Sequence, residues 1–573
     1  VRNLLGFAAA AAVAIAVATG VAIVAVSGGG AARRVAPSLE HGLGARPKEA
    51  IYEQRGPDRG LEASSAAGEQ VDNRAYPRGY VESRRALAAR RAFVTQPARL
   101  GASDFRAGTP QAAARATLHS TWQELGPFTP TVPAEVTYAG PATLSSGRVT
   151  AMAVDPNCGR AEAGCRLWVA AAGGGIWRTA DALAPAPSWA PASTGLASFA
   201  TGSLLVDPND PSGNTLYLGT GEPNGSTDSE AGVGLYRTTD GGDHWTLVPG
   251  TPAVAHDRSI GAIAVDPTDP NHLYIGTDVA RHGHSATYGG RRTPPGAPAL
   301  GLYESRDGGA TFTLAFSRPA SPVDPGAGIG NDYFQGGVNR LELDPADPGT
   351  VYAAVFGYGI WRRSAKLDGD TAFHQVFVTR NPADSYGDRT EFALARLADG
   401  RTRLYAGDSS DDDAVSELWR TDAADQPASQ LASATANSAP WQRLSSGTAG
   451  TPGFTSFNYC QSQCGYDDVV AVDPRDPNTV WLGGQMAYGE IPGAAGGTER
   501  SFGRAVVRST DAGVTFTDMT QDRADEGLHP DTHAILPAPV TPGAAFIGSD
   551  GGVARIGGAH VDRSAECAGR KLD

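Results

Sequence analysis

Five acidic residues stand where the chain could bring two carboxyl groups together: Glu222, Asp257, Asp332, Asp467 and Asp468. Each lies in a polar stretch between apolar runs. A facing pair of such groups can act as acid and base, or as acid and nucleophile, on a glycosidic bond. No spacing fixes which two would pair, and ordinary solvated loop acids fit the same positions. His529, Asp531 and His533 alternate along the chain. If extended, they would project to one side and suit a divalent cation. A hydrogen-bonded cluster holding that segment in place is the competing reading. Asp411, Asp412 and Asp413 offer oxygen ligands for calcium, without a full EF-hand-like loop around them. Arg258, Tyr333, Gln335, Tyr358 and Gln485 are candidates for holding a bound ligand. No serine nucleophile elbow and no phosphate-cradling glycine loop occurs in a suitable setting. No cofactor is implied beyond a structural divalent cation.

Such groups need a scaffold, and composition narrows its type. The chain has 573 residues, with 73 Gly, 40 Pro and many short apolar runs, which points to an all-β fold rich in turns. The net charge of −14 leaves no basic stripe to neutralise phosphates, so nucleic acid is excluded as the main partner. The five cysteines include two local pairs, Cys158 with Cys165 and Cys460 with Cys464. Neither pair has zinc-knuckle spacing, and two disulfides in an oxidising compartment are expected. Cys567 is left over, near the end of a polar stretch, which suggests a partner further downstream.

Residues 1–34 contain the apolar run Leu4–Val26, long enough to span a bilayer and longer than a typical signal-peptide core. Export is expected, by a cleaved signal peptide or with a transmembrane anchor. The protein would then be secreted or held at the outer face of the cytoplasmic membrane. Residues 35–118 carry no strand pattern and read as a largely disordered linker or stalk, with an Arg-rich helix over Tyr80–Val94.

From 119 to 560 one module recurs, and residues 561–573 are expected to start a further segment that is cut short. A strand ends in Asp-Pro, as in IAVDPTDP and LELDPADP. A second follows (LYIGTD, VYAAVFG), then a third with an aromatic and Arg (GLYRTTD, GIWRRSA), then a fourth beginning at Trp or Phe. Second strands near 167, 215, 272, 350, 403, 479 and 544 mark seven units. Four short strands repeated seven times predict a seven-bladed β-propeller. The third and fourth strands are joined by a second motif, clean in three copies. These carry Asp240, Gly242 and Trp245; Asp307, Gly309 and Phe312; and Asp511, Gly513 and Phe516. Asp240 and Asp307 are 67 residues apart, and Asp307 and Asp511 are 204 apart, so two degenerate copies are expected between them, around Ser364–Phe373 and Thr421–Trp441. The aspartate accepts backbone N–H groups, the glycine takes positive φ, and the aromatic packs into the blade. These aspartates are structural. The last unit lacks a fourth strand, and Thr121–Leu125, with its Trp122, is expected to supply it.

These motifs resemble the BNR/Asp-box repeat superfamily, which includes bacterial sialidases, sortilin and xyloglucan-cleaving enzymes. Trp122-Gln-Glu-Leu-Gly126-Pro127, His529-Pro-Asp531-Thr-His533 and Gly548-Ser-Asp550-Gly-Gly-Val are similar to stretches of exported bacterial members. The resemblance implies the propeller fold and leaves activity open, because the superfamily mixes enzymes and non-enzymes. The opening strand motif of sialidases is absent. Arg148, Arg258, Arg340 and Arg389 lie where inner strands begin, but no pattern ties them into a carboxylate grip. The expected function is binding of a glycan or extracellular protein on the loop-rich face. Hydrolysis by paired carboxylates, or a cell-surface scaffold or assembly role, are the alternatives.

Overall fold

A computed structural model describes residues 146–159, 164–224, 230–279, 296–318, 336–378, 389–410, 415–432, 440–448, 450–460, 463–485, 505–520, 528–529, 531–539 and 541–556. It also describes 131–132 and 143–144, which pair as a short hairpin, and helical residues 87–89 and 91. Leu87 of that helix packs against the core between blades 1 and 2.

The protein is a seven-bladed β-propeller. Six sheets have four strands and the seventh has three among the described residues, each antiparallel and meandering outward. The inner strands are Val149–Val154, Thr201–Val206, Ser259–Asp266, Val338–Asp344, Thr390–Arg396, Val469–Asp473 and Thr532–Pro537. Each packs beside the next, and the seventh packs beside the first. Seven apolar cores lie between neighbouring blades. Trp168 and Trp245 fill the one between blades 1 and 2, and Val149 and Phe546 the one between blades 7 and 1. Burial from both sides explains why these strands read as apolar runs instead of alternating.

Local chemistry sets the turns. In the first-to-second turns of blades 1 to 4 and 6, an aspartate carboxylate accepts the backbone N–H two residues on, at 2.8–3.0 Å, from Asp155, Asp207, Asp266, Asp344 and Asp473. This is the Asx turn expected of Asp-Pro segments. The clean third-to-fourth hairpins are superimposable in their bonding. Ser305 Oγ donates to Asp307 at 2.8 Å, Gly309 N–H donates to Ser305 Oγ at 2.9 Å, and Thr311 N–H donates to Asp307 at 2.9 Å. Blades 2 and 6 repeat these contacts around Asp240 and Asp511. Gly309 has φ of 87°, and a Cβ there would meet Val248 at 2.3 Å, so only glycine fits. Trp245 and Phe516 are buried and Phe312 packs on the neighbouring core. The two degenerate copies are where helices intervene, Ala365–Asp368 in blade 4 and Ala428–Leu431 in blade 5.

Disulfides join Cys158 to Cys165 and Cys460 to Cys464. Cys567, Leu4–Val26 and Thr121–Leu125 lie outside the described residues. Among the described residues, no helix is long and apolar enough to cross a membrane.

Candidate channel-mouth site

The second-to-third turns and the links into each inner strand meet at one end of the ring. Two connected polar clusters form there, because charged residues directly precede several inner strands, at Arg148, Arg258, Arg389 and Asp468, and neighbouring blades must satisfy them.

The first cluster draws on blades 1, 2, 6 and 7. Arg148, just before the first inner strand, donates to Glu222 at 2.7 Å and to Asp550 at 3.1 Å. Asp550 also accepts from the Tyr466 hydroxyl at 2.7 Å and contacts His533 Nε2 at 2.8 Å. The Arg148 guanidinium lies over the Tyr466 ring, and His533 meets that ring edge-on. Burial depresses the pKa of His533 below the usual histidine value, against the pull of Asp550. A neutral imidazole donates from one nitrogen only, and the shorter contact assigns that proton to Nε2, facing Asp550. Burial, with Asp550 next, pushes the Tyr466 phenol well above its ordinary value, so it stays protonated and is no nucleophile.

The second cluster draws on blades 3, 4, 5 and 6 and centres on Arg389. Its guanidinium donates twice to Glu391, at 3.0 and 2.7 Å, and once to the Tyr466 carbonyl, which thereby links the clusters. Asn339 also donates to Glu391, at 2.9 Å. Asp468 accepts from the Tyr459 hydroxyl at 2.6 Å, and its other oxygen has no hydrogen-bond partner among the described residues. Burial, then repulsion from Glu391, raises the Asp468 pKa well above the carboxylate range. Asp278 accepts the Val279 N–H with one oxygen, and the other has no hydrogen-bond partner among the described residues. Burial pushes its pKa up to about 7, against Arg389 and Arg258. Burial alone would lower the Arg389 pKa, but Glu391, Asp468 and Asp278 outweigh it.

Of the candidate carboxylates, Glu222 and Asp468 sit in these clusters and Asp467 lies beside them, all buried. Asp257 is buried in the link before blade 3, at φ 60°. Arg258 donates to the Pro298 carbonyl at 2.8 Å. Gln485 is buried, and its Oε1 has no hydrogen-bond partner among the described residues. Tyr358 is half-buried in the blade 4 turn, its carbonyl accepting from Trp361 and Gln375. Asp332, Tyr333 and Gln335, like Asp411–Asp413, lie outside the described residues.

His529, Asp531 and His533 do not form a ligand set. Among the described residues, no three His, Cys, Asp or Glu side chains converge as metal ligands. The assumed alternation fails because Asp531 has φ of 66° and the strand starts only at Thr532. Both His533 nitrogens face other partners, Tyr466 and Asp550. Sequence reasoning overlooked Tyr459 and Asn339. Tyr459 adjoins a disulfide cysteine, and Asn339 occupies an inner strand; neither carries a motif.

Fold and site together define a β-propeller with a carboxylate- and arginine-rich channel mouth. No protein-family model and no curated protein matches the chain. Solved structures similar to it include a GH74 enzyme of Niastella koreensis, at 18% identity over 72% of this chain and 52% of that one, with a TM-score of 0.43. Another is an ancestral GH74 enzyme, at 16% identity over 72% of this chain and 45% of that one, with a TM-score of 0.41. The chain thus spans about half the length of each.

Proposed function

We propose that this is an exported propeller that binds a glycan at its channel mouth without hydrolysing it. The observation that carries this reading is the Arg148–Asp550 pair. Both side chains are 15% exposed, held rigid by Tyr466, His533 and Glu222 from three other elements. A fixed, partly exposed arginine–carboxylate pair presents planar donors and acceptors suited to sugar hydroxyls at small entropic cost. Several buried carboxylates are engaged with protein partners: Glu222 with Arg148, Glu391 with Arg389, Asp468 with Tyr459. Asp278 and Asp468, whose raised pKa values would suit a general acid, are 0% and 1% exposed. The apolar run Leu4–Val26 and the two disulfides support export to an oxidising compartment.

The test is calorimetric titration of the purified chain with a panel of neutral and acidic oligosaccharides. One of them should bind, and Asp550→Asn should weaken that binding at least tenfold while leaving the fold intact by circular dichroism. Undiminished binding in Asp550→Asn would refute the placement. Binding only by extracellular protein would refute the ligand class.

A further inference from the structure

The innermost strands share a geometry whose side chains differ in one blade. In blades 1, 2, 3, 4 and 7 the pairing register shifts near the strand's start, and the residue past the shift is Ala151, Ser203, Ala262, Arg340 and Ala534 in turn. Blades 5 and 6 have no shift there. Two residues further along stand Ala153, Leu205, Ala264, Glu342 and Leu536. Four blades thus carry small or apolar side chains where blade 4 carries the ion pair Arg340–Glu342. Those four close against their neighbours without such a pair.

Both side chains of the pair reach the channel wall. An innermost strand pairs with its own sheet along one edge only, so its other edge faces the axis of the ring. Arg340 Nε donates to the Phe392 carbonyl of blade 5's innermost strand at 3.2 Å, and the Leu394 N–H of that strand donates to Glu342 at 2.9 Å. Arg340 also donates to Glu342. Burial is the largest influence on the Arg340 pKa and lowers it, but Glu342 and Glu391 outweigh it. Yet the two side chains are 38% and 22% exposed. Groups enclosed by the ring and still wetted face its internal channel.

Capping the edge of blade 5 accounts for only part of the pair. Ser203 caps blade 3 with a single hydroxyl, donating to the Ile260 carbonyl at 2.7 Å. Arg340 spends Nε on its cap and Nη2 on Glu342, and Nη1 makes no hydrogen bond among the described residues. The small residues at the same level in four blades leave space beside that nitrogen. The pair is also continuous with the mouth. Asn339, the preceding residue, donates to Glu391 at 2.9 Å and to the Thr390 carbonyl at 3.2 Å. Arg340 lies two positions into its strand, about 7 Å along the channel.

We infer that Arg340 and Glu342 form a second subsite inside the channel, which takes the terminal unit of a neutral sugar chain whose remainder lies at the mouth. This rests on glycan binding at Arg148 and Asp550, and adds that the glycan enters by one end. The ligand class follows from charge. The guanidinium N–H groups and the carboxylate offer donors and an acceptor to sugar hydroxyls. A uronic acid would instead bring its carboxylate against Glu342 and Glu391, with the arginine's charge already balanced.

The experiment is calorimetric titration of the full chain with β-1,4-linked glucose, mannose and xylose oligomers and with galacturonate oligomers as the acidic set. A neutral oligomer should bind. A bulky fluorophore on one of its ends should abolish binding, and the same group on the other end should be tolerated. Arg340→Gln keeps a donor for Phe392 and loses the outer guanidinium nitrogens. It should weaken binding about tenfold with the unfolding midpoint unchanged. Equal tolerance of the fluorophore at both ends overturns the inference, and that readout needs no variant. So does full affinity in Arg340→Gln when Asp550→Asn is weakened, which leaves the mouth site standing. Tighter binding of galacturonate oligomers overturns the neutral class. Binding of no oligomer removes the mouth site and the channel subsite together.

Discussion

Asp278 is a carboxylic acid whose ionisation the fold resists. Its folded pKa of about 7 stands above the ordinary carboxylate value of 3.8 because the side chain is fully buried. The folded state therefore binds a proton that the unfolded state has lost across this window. Stability from this group is complete below about pH 4 and falls as pH rises toward 7, by about 1.4 kcal/mol per pH unit. Above pH 7 the accumulated cost levels off at about 4 kcal/mol. Asp278→Asn removes the charge and keeps the shape, with its carbonyl still able to accept the Val279 N–H. The assay is urea unfolding of both proteins at pH 5, 6, 7 and 8. The stability difference, variant minus parent, should rise steadily from pH 5 to 7 and flatten by pH 8. A difference independent of pH, or one that falls with pH, would refute the assignment of a raised pKa to Asp278.

Other outcomes follow from the same geometry. Arg389→Ala leaves Glu391 buried without its cation and should destabilise the protein by about 3–5 kcal/mol in denaturant titration. Asp307→Ala should lose three side-chain contacts of its hairpin, from the Ser305 hydroxyl and from the Thr311 N–H and hydroxyl, and lower the unfolding midpoint, with oligosaccharide affinity unchanged because the hairpin is at the opposite end of the blade. Trp361→Ala opens a cavity against Phe316 and Phe373 and should cost about 3–5 kcal/mol, read from the unfolding midpoint.

Much of the fold was legible because its determinants are local. An Asx turn spans two residues and the third-to-fourth hairpin five, so both leave a fixed spacing in the chain. The seven-fold count follows from them. The channel mouth was partly legible. Charged residues directly preceding inner strands, Arg148, Arg258, Arg389 and Asp468, do mark it. Their pairing was not legible, because partners come from different blades: Arg148 and Asp550 are 402 residues apart. The alternation of His529, Asp531 and His533 misled because a single positive φ at Asp531 breaks the extended geometry it presumes. Asp and Asn adopt positive φ more readily than other non-glycine residues, as Asp257, Asn458 and Asp531 do here, but residue type alone does not say which of them will.

The most direct test of non-hydrolytic glycan binding is to incubate the chain with the oligosaccharide it binds and follow both complex and products, by calorimetry and by chromatography of the reducing ends. The account predicts a saturable complex, weakened in Asp550→Asn, and recovery of the intact oligosaccharide after prolonged incubation. Release of shorter sugars, abolished by Asp467→Ala or Asp468→Ala, would contradict it.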